Sequence, residues 1–433
     1  MNLESLNNPY KTVLMAQDKD QKTLNVPPLR FPGFTNEWER VKVSDLLDFF
    51  STNSLSWEML NYENGDIQNL HYGLIHSGLP TLIDLKRDTM PFVNETAKPK
   101  KFTLCKEGDI AFADASEDTN DVAKAVEFIN LDGQQVISGL HTIHGRDNEN
   151  KTVLGFKGYA FASSAFHNQI RRIAQGTKIY SISSKSFDEV FISIPNKAEQ
   201  TKIAILLHLI DERITTQNKI IEDLKKLKSA IIDRQLSHVQ TDESNRTVKL
   251  GEIGNFTRGL TYSADDIVED GGNVVIRANN LSNGEAVNLY NEIVRVDKPI
   301  LGSQQLKDGD IVICMANGSS TLVGKASYFK NTTNSIVTVG AFCGIYRSNK
   351  KIVRWLLQTN KYKRAIRKSL QGGNGAIANL TSNDILSLSF VIPKQETLIV
   401  DLLQEFDNKL DIELSLLHSL QKRKQYLLSR MFI

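Results

Sequence analysis

The chain has 433 residues, 40% of them hydrophobic and 24% charged, with a formal net charge of +2 and three cysteines. That length accommodates about two to four domains of ordinary globular composition, and no apolar run reaches the roughly 18 residues that a membrane helix needs. Cys105, Cys314 and Cys343 are scattered without zinc spacing and suit a reducing compartment; a net charge near zero leaves the question of a nucleic-acid partner to the charge distribution.

In chain order, residues 1–28 are polar and aperiodic and read as a flexible tail. The start, MNLESLNNPYK, carries no basic-plus-apolar leader, so a cytoplasmic protein is expected. Order is expected to begin at Leu29-Arg30-Phe31-Pro32-Gly33-Phe34, followed by Trp38 and a strand-like Val41-Lys42-Val43. A first head then spans residues 29–195. Its opening VKVSDL returns 207 residues later as VKLGEI. Further on the offset is 201: Ile75-His76 matches Ile276-Arg277, KEGDIAF (106–112) matches KDGDIVI (307–313), and DVAKAVEF (121–128) matches LVGKASYF (322–329). These are short β-rich runs between Gly and Asp turns, so each copy reads as a compact, mostly β body.

From Lys197 to Leu236 the character changes. The stretch contains no Gly or Pro, and apolar residues recur in steps of three and four at Ile203, Leu207, Ile210, Ile214, Ile221, Leu224 and Ile231. That is a heptad seam on a helix roughly 60 Å long. Shifted by 196, the seam returns as Ile399, Leu403, Phe406, Leu410, Leu417, Leu420 and Leu427, and its polar faults return too: Gln217 and Lys228 match Glu413 and Lys424. Pro195 and Pro393 precede the two rods, where Pro can open a helix. Residues 237–247 are polar and read as a linker. The predicted order is therefore tail 1–28, head 29–195, helix 196–236, linker 237–247, head 248–392 and helix 393–433. The fold class is α+β: two mostly β domains separated by two long helices packed as an antiparallel coiled coil, with an internal repeat of pseudo-twofold symmetry. The matched faults Gln217 and Glu413 either fix helix register or mark local imperfection.

The charge is unevenly spread. No Asp or Glu occurs between Asn150 and Phe187, where Lys151, Lys157, Arg171, Arg172, Lys178 and Lys185 lie. A second acid-free window, Arg347 to Asn383, holds Arg347, Lys350, Lys351, Arg354, Lys361, Lys363, Arg364, Arg367 and Lys368. One such window is equally a solvated helix face; two at matching places favour a polyanion surface on each head. A Gly-containing loop follows each basic helix, Gln175-Gly176-Thr177-Lys178 and Gln371-Gly372-Gly373-Asn374-Gly375, either as a phosphate cradle or as a plain helix-ending turn. Trp355, Tyr362 and Tyr180 lie among the charges and fit a core role better than stacking on bases. Phosphate contacts are expected from Arg171, Arg172, Gly176, Lys178, Arg364, Arg367, Lys368 and Gly372. Base readout is assigned to Tyr72, His76, Arg277, Asn279 and Asn280, since Arg and Asn can each bond a purine edge twice, although each fits a turn role better than base reading.

Catalytic signatures are missing. Asn8-Pro9-Tyr10 lacks the second Pro of an amino-methyltransferase tetrad, GNG at 373–375 lacks a cofactor-loop context, and there is no Walker loop, nuclease cluster or nucleophile motif. The eight histidines show no ligand pattern, and His141 and His144, three apart in a strand-like run, should face opposite ways.

Two heads alternating with two duplicated helices resemble the DNA-specificity (S) subunit of type I restriction-modification systems. The resemblance is carried by LRFPGF-x3-W (29–38), KEGDI and KDGDI, GLHTI (139–143), QGTKIYSIS (175–183), IPNKAEQTKIA (194–204) and both rods, and it covers roughly residues 29–433. The second copy departs from it: LRFPGF has no counterpart there, and GGNGAIANLT replaces GTKIYSISS. The resemblance implies two target-recognition domains, each reading one half-site of double-stranded DNA, with the paired helices setting the unread spacer. It implies no catalysis and no cofactor on this chain. S-adenosylmethionine, ATP and Mg2+ would belong to partners: two modification (methyltransferase) subunits and the restriction (motor-nuclease) subunits. Partner docking would use Leu206, Ile220 and Ile232 with their equivalents Leu402, Leu416 and Leu428. A coiled-coil scaffold binding only protein is the alternative reading, and a self-contained DNA enzyme a third.

Overall fold

The computed structural model describes residues 24–237, 246–370 and 378–433. These form two compact units, one built from the described residues up to Thr216 together with Leu417–Ile433, the other from those of Gln217–Leu416. Each long helix therefore lends one half to each unit.

The helices run Lys197–Ile232 and Glu396–Arg430. The first starts where Asn196 accepts the Glu199 amide on its side chain at 3.0 Å, relieving one of the unpaired N–H groups of a helix end. Every apolar seam position named above is buried or half-buried, so the heptad pattern faces inward as expected. The helices are antiparallel: in the second unit Gln217 meets Glu413 and Lys228 meets Asp407, and in the first unit Asp211 meets Lys424. The seam faults are thus contacts. Gln217 Nε2 donates to the Glu413 backbone oxygen at 3.1 Å and to its carboxylate at 2.5 Å. These two equivalent positions of the repeat touch each other.

The lysine faults are bridged in matching fashion. Lys424 Nζ lies 2.6 Å from Asp211, which also accepts from the Tyr159 hydroxyl at 2.9 Å. In the second unit Lys228 lies 2.5 Å from Asp407, which also takes Arg354 at 2.7 Å and the Trp355 indole N–H at 3.2 Å. Asp407 and Asp211 are 196 apart, as are Trp355 and Tyr159, and Lys424 and Lys228. In each unit, one carboxylate therefore ties a helix to its partner helix and to an aromatic of the head.

The heads share one strand plan, to which the first adds Leu82–Asp84 as a fifth strand parallel to Ala125–Asn130. In the first, Ile67–Leu70 pairs in parallel with Gln135–Ser138 and antiparallel with Phe92–Val93; in the second, Asn273–Ile276 pairs in parallel with Val337–Val339 and antiparallel with Val294–Val296. A second sheet centres on Ile110–Ala113 between Thr142–Arg146 and Ala125–Asn130, answered by Ile311–Cys314 between Cys343–Arg347 and Ala326–Tyr328. Each head is clasped by an antiparallel pair joining its ends, Glu39–Lys42 with Phe191–Ile194 and Arg246–Lys249 with Ser389–Ile392. The Gly-Asp-Ile turns explain their recurrence. Gly108 and Gly309 both adopt a φ of 86°, which a side chain would strain. The following aspartates accept the backbone amides of Lys106 and Lys307 and grip Arg146 and Arg347 through both oxygens.

Several expectations change. Ordered contacts begin before Leu29, because Asn25 bonds Trp38 through backbone and side chain. The linker ends earlier than Thr247, since Arg246 and Thr247 already belong to the clasp strand; residues 238–245 and 1–23 lie outside the described ones. The LRFPGF segment docks on the helix ends: the Leu29 amide donates to the Arg430 carbonyl, and Arg30 holds buried Glu199 at 2.6 and 2.7 Å. Ile75-His76 is not the counterpart of Ile276-Arg277. Gly139 N bonds Leu70 O and Gly340 N bonds Ile276 O, so Leu70-His71 takes that place, 206 residues before its mate. Ile232 and Leu428 belong to the two cores and cannot dock partners, whereas Ile220, Leu402 and Leu416 are exposed and Leu206 is half-buried.

Replacing Asp407 with Asn leaves Lys228 and Arg354 facing a neutral amide in a mostly buried site. Breaking such a pair typically costs about 3–5 kcal/mol, and a loss of that order in the unfolding free energy of the full chain is expected. A denaturant midpoint within error of wild type would show the bridge to be dispensable. A second outcome concerns acid. Burial alone would raise the Asp109 carboxyl, but hydrogen bonds from Arg146 and His144 hold it below its usual value. Its contribution is therefore present above the ordinary carboxylate range and lost as pH falls through the lowered value. Stability measured against pH should flatten on its acid limb in Asp109→Asn.

Candidate nucleic-acid interface

The basic helices are amphipathic in the simplest sense. Ser164–Ile173 is anchored by buried Phe166 and Ile170, and Asn360–Leu370 by buried Tyr362 and Ile366, so their cations are left outside. Arg171, Arg172, Gly176, Lys178, Arg364, Arg367 and Lys368 are all exposed. Gly372 lies outside the described residues, as do Gly373, Asn374 and Gly375.

Acid-free in sequence does not mean unpaired in space. Lys157 is buried against Glu127 at 3.2 Å and Lys151 bonds Glu149. In the second window Arg347 is held by Asp310, Lys350 by Glu396 and Arg354 by Asp407. The exposed cations that remain concentrate on the two helices and, in the first unit, on the loop after the helix. Trp355 and Tyr362 are core residues and Tyr180 is half-buried.

The residues assigned to base readout fall at the exits of the parallel strand pairs. In the second unit a cavity of about 640 Å³ opens there, with Tyr262, Arg277, Asn279, Asn317 and Phe342 in its wall. Arg277 donates one guanidinium N–H to the Glu292 carbonyl, and its buried Nε has no partner among the described residues. Asn279 is exposed and bonded to Glu292. Asn280 is the exception: it is buried, its oxygen accepts the Arg277 amide at 2.9 Å and its amide donates to the Asn291 carbonyl at 2.8 Å. Both ends of that side chain are engaged in shaping the loop, which removes Asn280 from readout.

The corresponding exit in the first unit is aromatic. Trp57, His71, Tyr72 and His141 follow one another with ring centres 4.3, 4.7 and 5.1 Å apart. Burial, together with the nearby His141 ring, lowers the His71 pKa and favours its neutral form, consistent with its acceptance of the Gly73 amide. Tyr72 lies within this row. His76 stands behind it, its Nε2 against the Ala115 carbonyl at 3.0 Å and its ring edge-on to Tyr72.

Phe342, 64% exposed, and Trp57, 46% exposed, were not singled out from the sequence. An offset of 201 sets Phe342 opposite His141, within GAFCG and GLHTI, and that alignment was the available signal. His141 and His144 do face opposite ways, His141 into solvent and His144 into the core. A histidine grouping is nevertheless present: the donor atoms of Cys105, Asp109 and His144 lie within 4.8 Å of one another. Arg146 occupies both Asp109 oxygens, and the second unit keeps the Asp310–Arg347 pair with Leu306 and Ile345 in the places of Cys105 and His144. The cluster is therefore read as part of the fold. No helix among the described residues is long and apolar enough to cross a membrane.

Comparison with known proteins now adds a family. Residues 35–226 and 242–422 each match the type I restriction modification DNA specificity domain. Among curated proteins, the chain is similar to the StySPI specificity subunit of Salmonella potsdam, 26% identical over 163 residues, covering 36% of this chain and 34% of that protein. The EcoKI specificity subunit of Escherichia coli K12 is 28% identical over 144 residues, covering 31% and 30%, and the MjaVIII specificity subunit of Methanocaldococcus jannaschii 24% over 280 residues, covering 59% and 64%. The matches thus span from under a third to under two thirds of these relatives. A solved S subunit of a type I restriction-modification system from M. genitalium shares the fold with a TM-score of 0.53 at 18% identity, over 94% of this chain and 99% of that one. A structure from work on assembly and conformational transition of the type I system gives 0.52 at 14%, over 93% and 98%. With one head topology built twice and both copies matched, the chain belongs to the type I restriction modification DNA specificity family.

Proposed function

We propose that the chain is the non-catalytic specificity subunit of a type I restriction-modification complex, each head reading one half of a bipartite target on double-stranded DNA. The observation that carries this is the repetition, in two units of like topology, of an exposed basic helix, with a polar or aromatic cluster at each parallel-strand exit that supports readout. Arg171, Arg172, Gly176 and Lys178 in the first head, and Arg364, Arg367 and Lys368 in the second, would hold phosphates and set register. Arg277 and Asn279, with Asn317, Tyr262 and Phe342 around them, would read base edges in the second head. Trp57, Tyr72 and His141 would serve in the first, through stacking and through the Tyr and His polar atoms.

In this reading the target-recognition domains are 29–195 and 248–392, joined by spacer helices 196–236 and 393–433. Exposed Ile220, Leu402 and Leu416 on those helices would help dock two modification subunits. These would bring S-adenosylmethionine, and the restriction subunits ATP and Mg2+; all would act in the cytoplasm.

Selection of duplexes from a randomised pool, with the neighbouring modification subunit present, should return two short motifs at one fixed separation. A single contiguous motif would mean that one head does not read DNA. Arg277→Ala should relax one half-site alone, by about 1–3 kcal/mol against the wrong base. Arg364→Gln and Arg367→Gln should instead weaken all sequences alike, each lowering the slope of log affinity against log salt by roughly one. Salt-insensitive binding of any partner would favour a protein scaffold.

A further inference from the structure

We infer that the groove between helix Ser164–Ile173 and the last turns of the second long helix, in the first unit, is a seat for a phosphate group. The groove has a volume of about 640 Å³, and its wall includes Asn120, His167, Arg171, Lys422, Gln425 and Tyr426 but no Asp or Glu. Arg171 bonds only the amide oxygens of Asn120 and Asn168, and among the described residues neither it nor Lys422 has a carboxylate in salt-bridge reach. The buried Nδ1 of His167 has no partner there either. Burial, then Arg171 and Lys124, push this histidine below its ordinary value against the opposing pull of Asp121. It therefore adds a polar atom at neutral pH without a full charge.

The second unit shows what such a place accepts. At the position 196 residues from Ser429 stands Asp233, and 196 from Ser164 stands Asn360. The Asp233 carboxylate caps the start of the basic helix, accepting the Asn360 amide at 2.8 Å and its side chain at 2.5 Å. There, Lys226, the mate of Lys422, is engaged by Glu222 at 2.5 Å. In the first unit the internal carboxylate is replaced by a serine, the Ser164 amide faces no acceptor among the described residues, and both cations stay uncompensated. The Phe166 amide is taken by Ser163, but the Ser164 end of the helix, Arg171 in its last turn and Lys422 all line this one groove, a donor set that suits an external oxyanion. The phosphate could be a backbone phosphate of duplex DNA or a free phosphate. Only the former rests on the function proposed above.

The test is titration of the full chain with inorganic phosphate, followed by calorimetry. Saturable binding is expected, weakened about tenfold or more by Lys422→Gln, as expected for a lost charged hydrogen bond. Ser429→Asp, which installs the carboxylate of the second unit, should weaken it as much, with unchanged thermal melts showing that both variants fold. A saturating duplex that displaces phosphate identifies the backbone as its source. If phosphate still binds beside the duplex, or if no duplex binds at all, the seat stands and takes a free anion, the last result counting against the DNA reading only. Absence of saturable phosphate binding, or wild-type affinity in both variants, overturns the seat.

Discussion

In each unit, one aspartate on a long helix holds the structure together. Asp211 and Asp407 are each met by a lysine of the partner helix and by the polar edge of a head aromatic. A purely apolar seam of 35 or 36 residues could slide by a heptad at little cost, because one Leu or Ile layer packs much like the next. A carboxylate that must find both a lysine and a Tyr or Trp, buried at Asp407 and half-buried at Asp211, disfavours a shifted register, which would leave the charge without its partners. The same groups tie head to helix, so each of these contacts bears on both helix register and head orientation. Gln217 against Glu413 adds a further position at which only one register satisfies both side chains.

Within the heads, the Gly-Asp-Ile turn plays a comparable part on a smaller scale. A left-handed glycine reverses the chain, the aspartate closes the turn through a backbone amide, and the same carboxylate then captures an arginine from the neighbouring strand. The second head repeats every element of this with Gly309, Asp310 and Arg347. The arginine also donates to a backbone oxygen, of Leu104 in one head and of Gln305 in the other. The turn therefore joins two segments whose Asp and Arg lie 37 residues apart, which accounts for its recurrence where the surrounding residues differ.

The helices were legible because burial imposes a period on dozens of residues, and the duplication made even their polar faults readable. The heads were legible only where a motif carries its own constraint, as at Gly108-Asp109. Strands of three or four residues with generic Val and Ile content carry too little pattern to fix their alignment, which is why Ile75 was matched to Ile276 in place of Leu70. Charge counting misjudged Lys157, Arg347 and Arg354 because ion pairs form between segments, and the sequence window shows one segment at a time. The candidate recognition surfaces were the least legible. Trp57, Tyr72 and His141, or Tyr262, Arg277 and Phe342, come from separate loops and become neighbours only once two parallel strands end side by side.

That geometry separates what the two heads must share from what they are free to vary. The parallel pair, the Asp–Arg turn and the helix clasp recur because each satisfies backbone or buried charge, and losing any of them costs stability. Just beyond the strand ends the two copies differ in chemistry. One exit is a row of Trp, His and Tyr rings, which offers faces and single polar atoms; the other is a cavity with Arg and Asn, which offers paired donors and acceptors. Asn280 marks the boundary between the two classes: it sits beside Asn279 in sequence, yet both ends of its amide are used to hold the loop. A framework held by these repeated contacts allows two copies of one fold to present different chemistries at their strand exits.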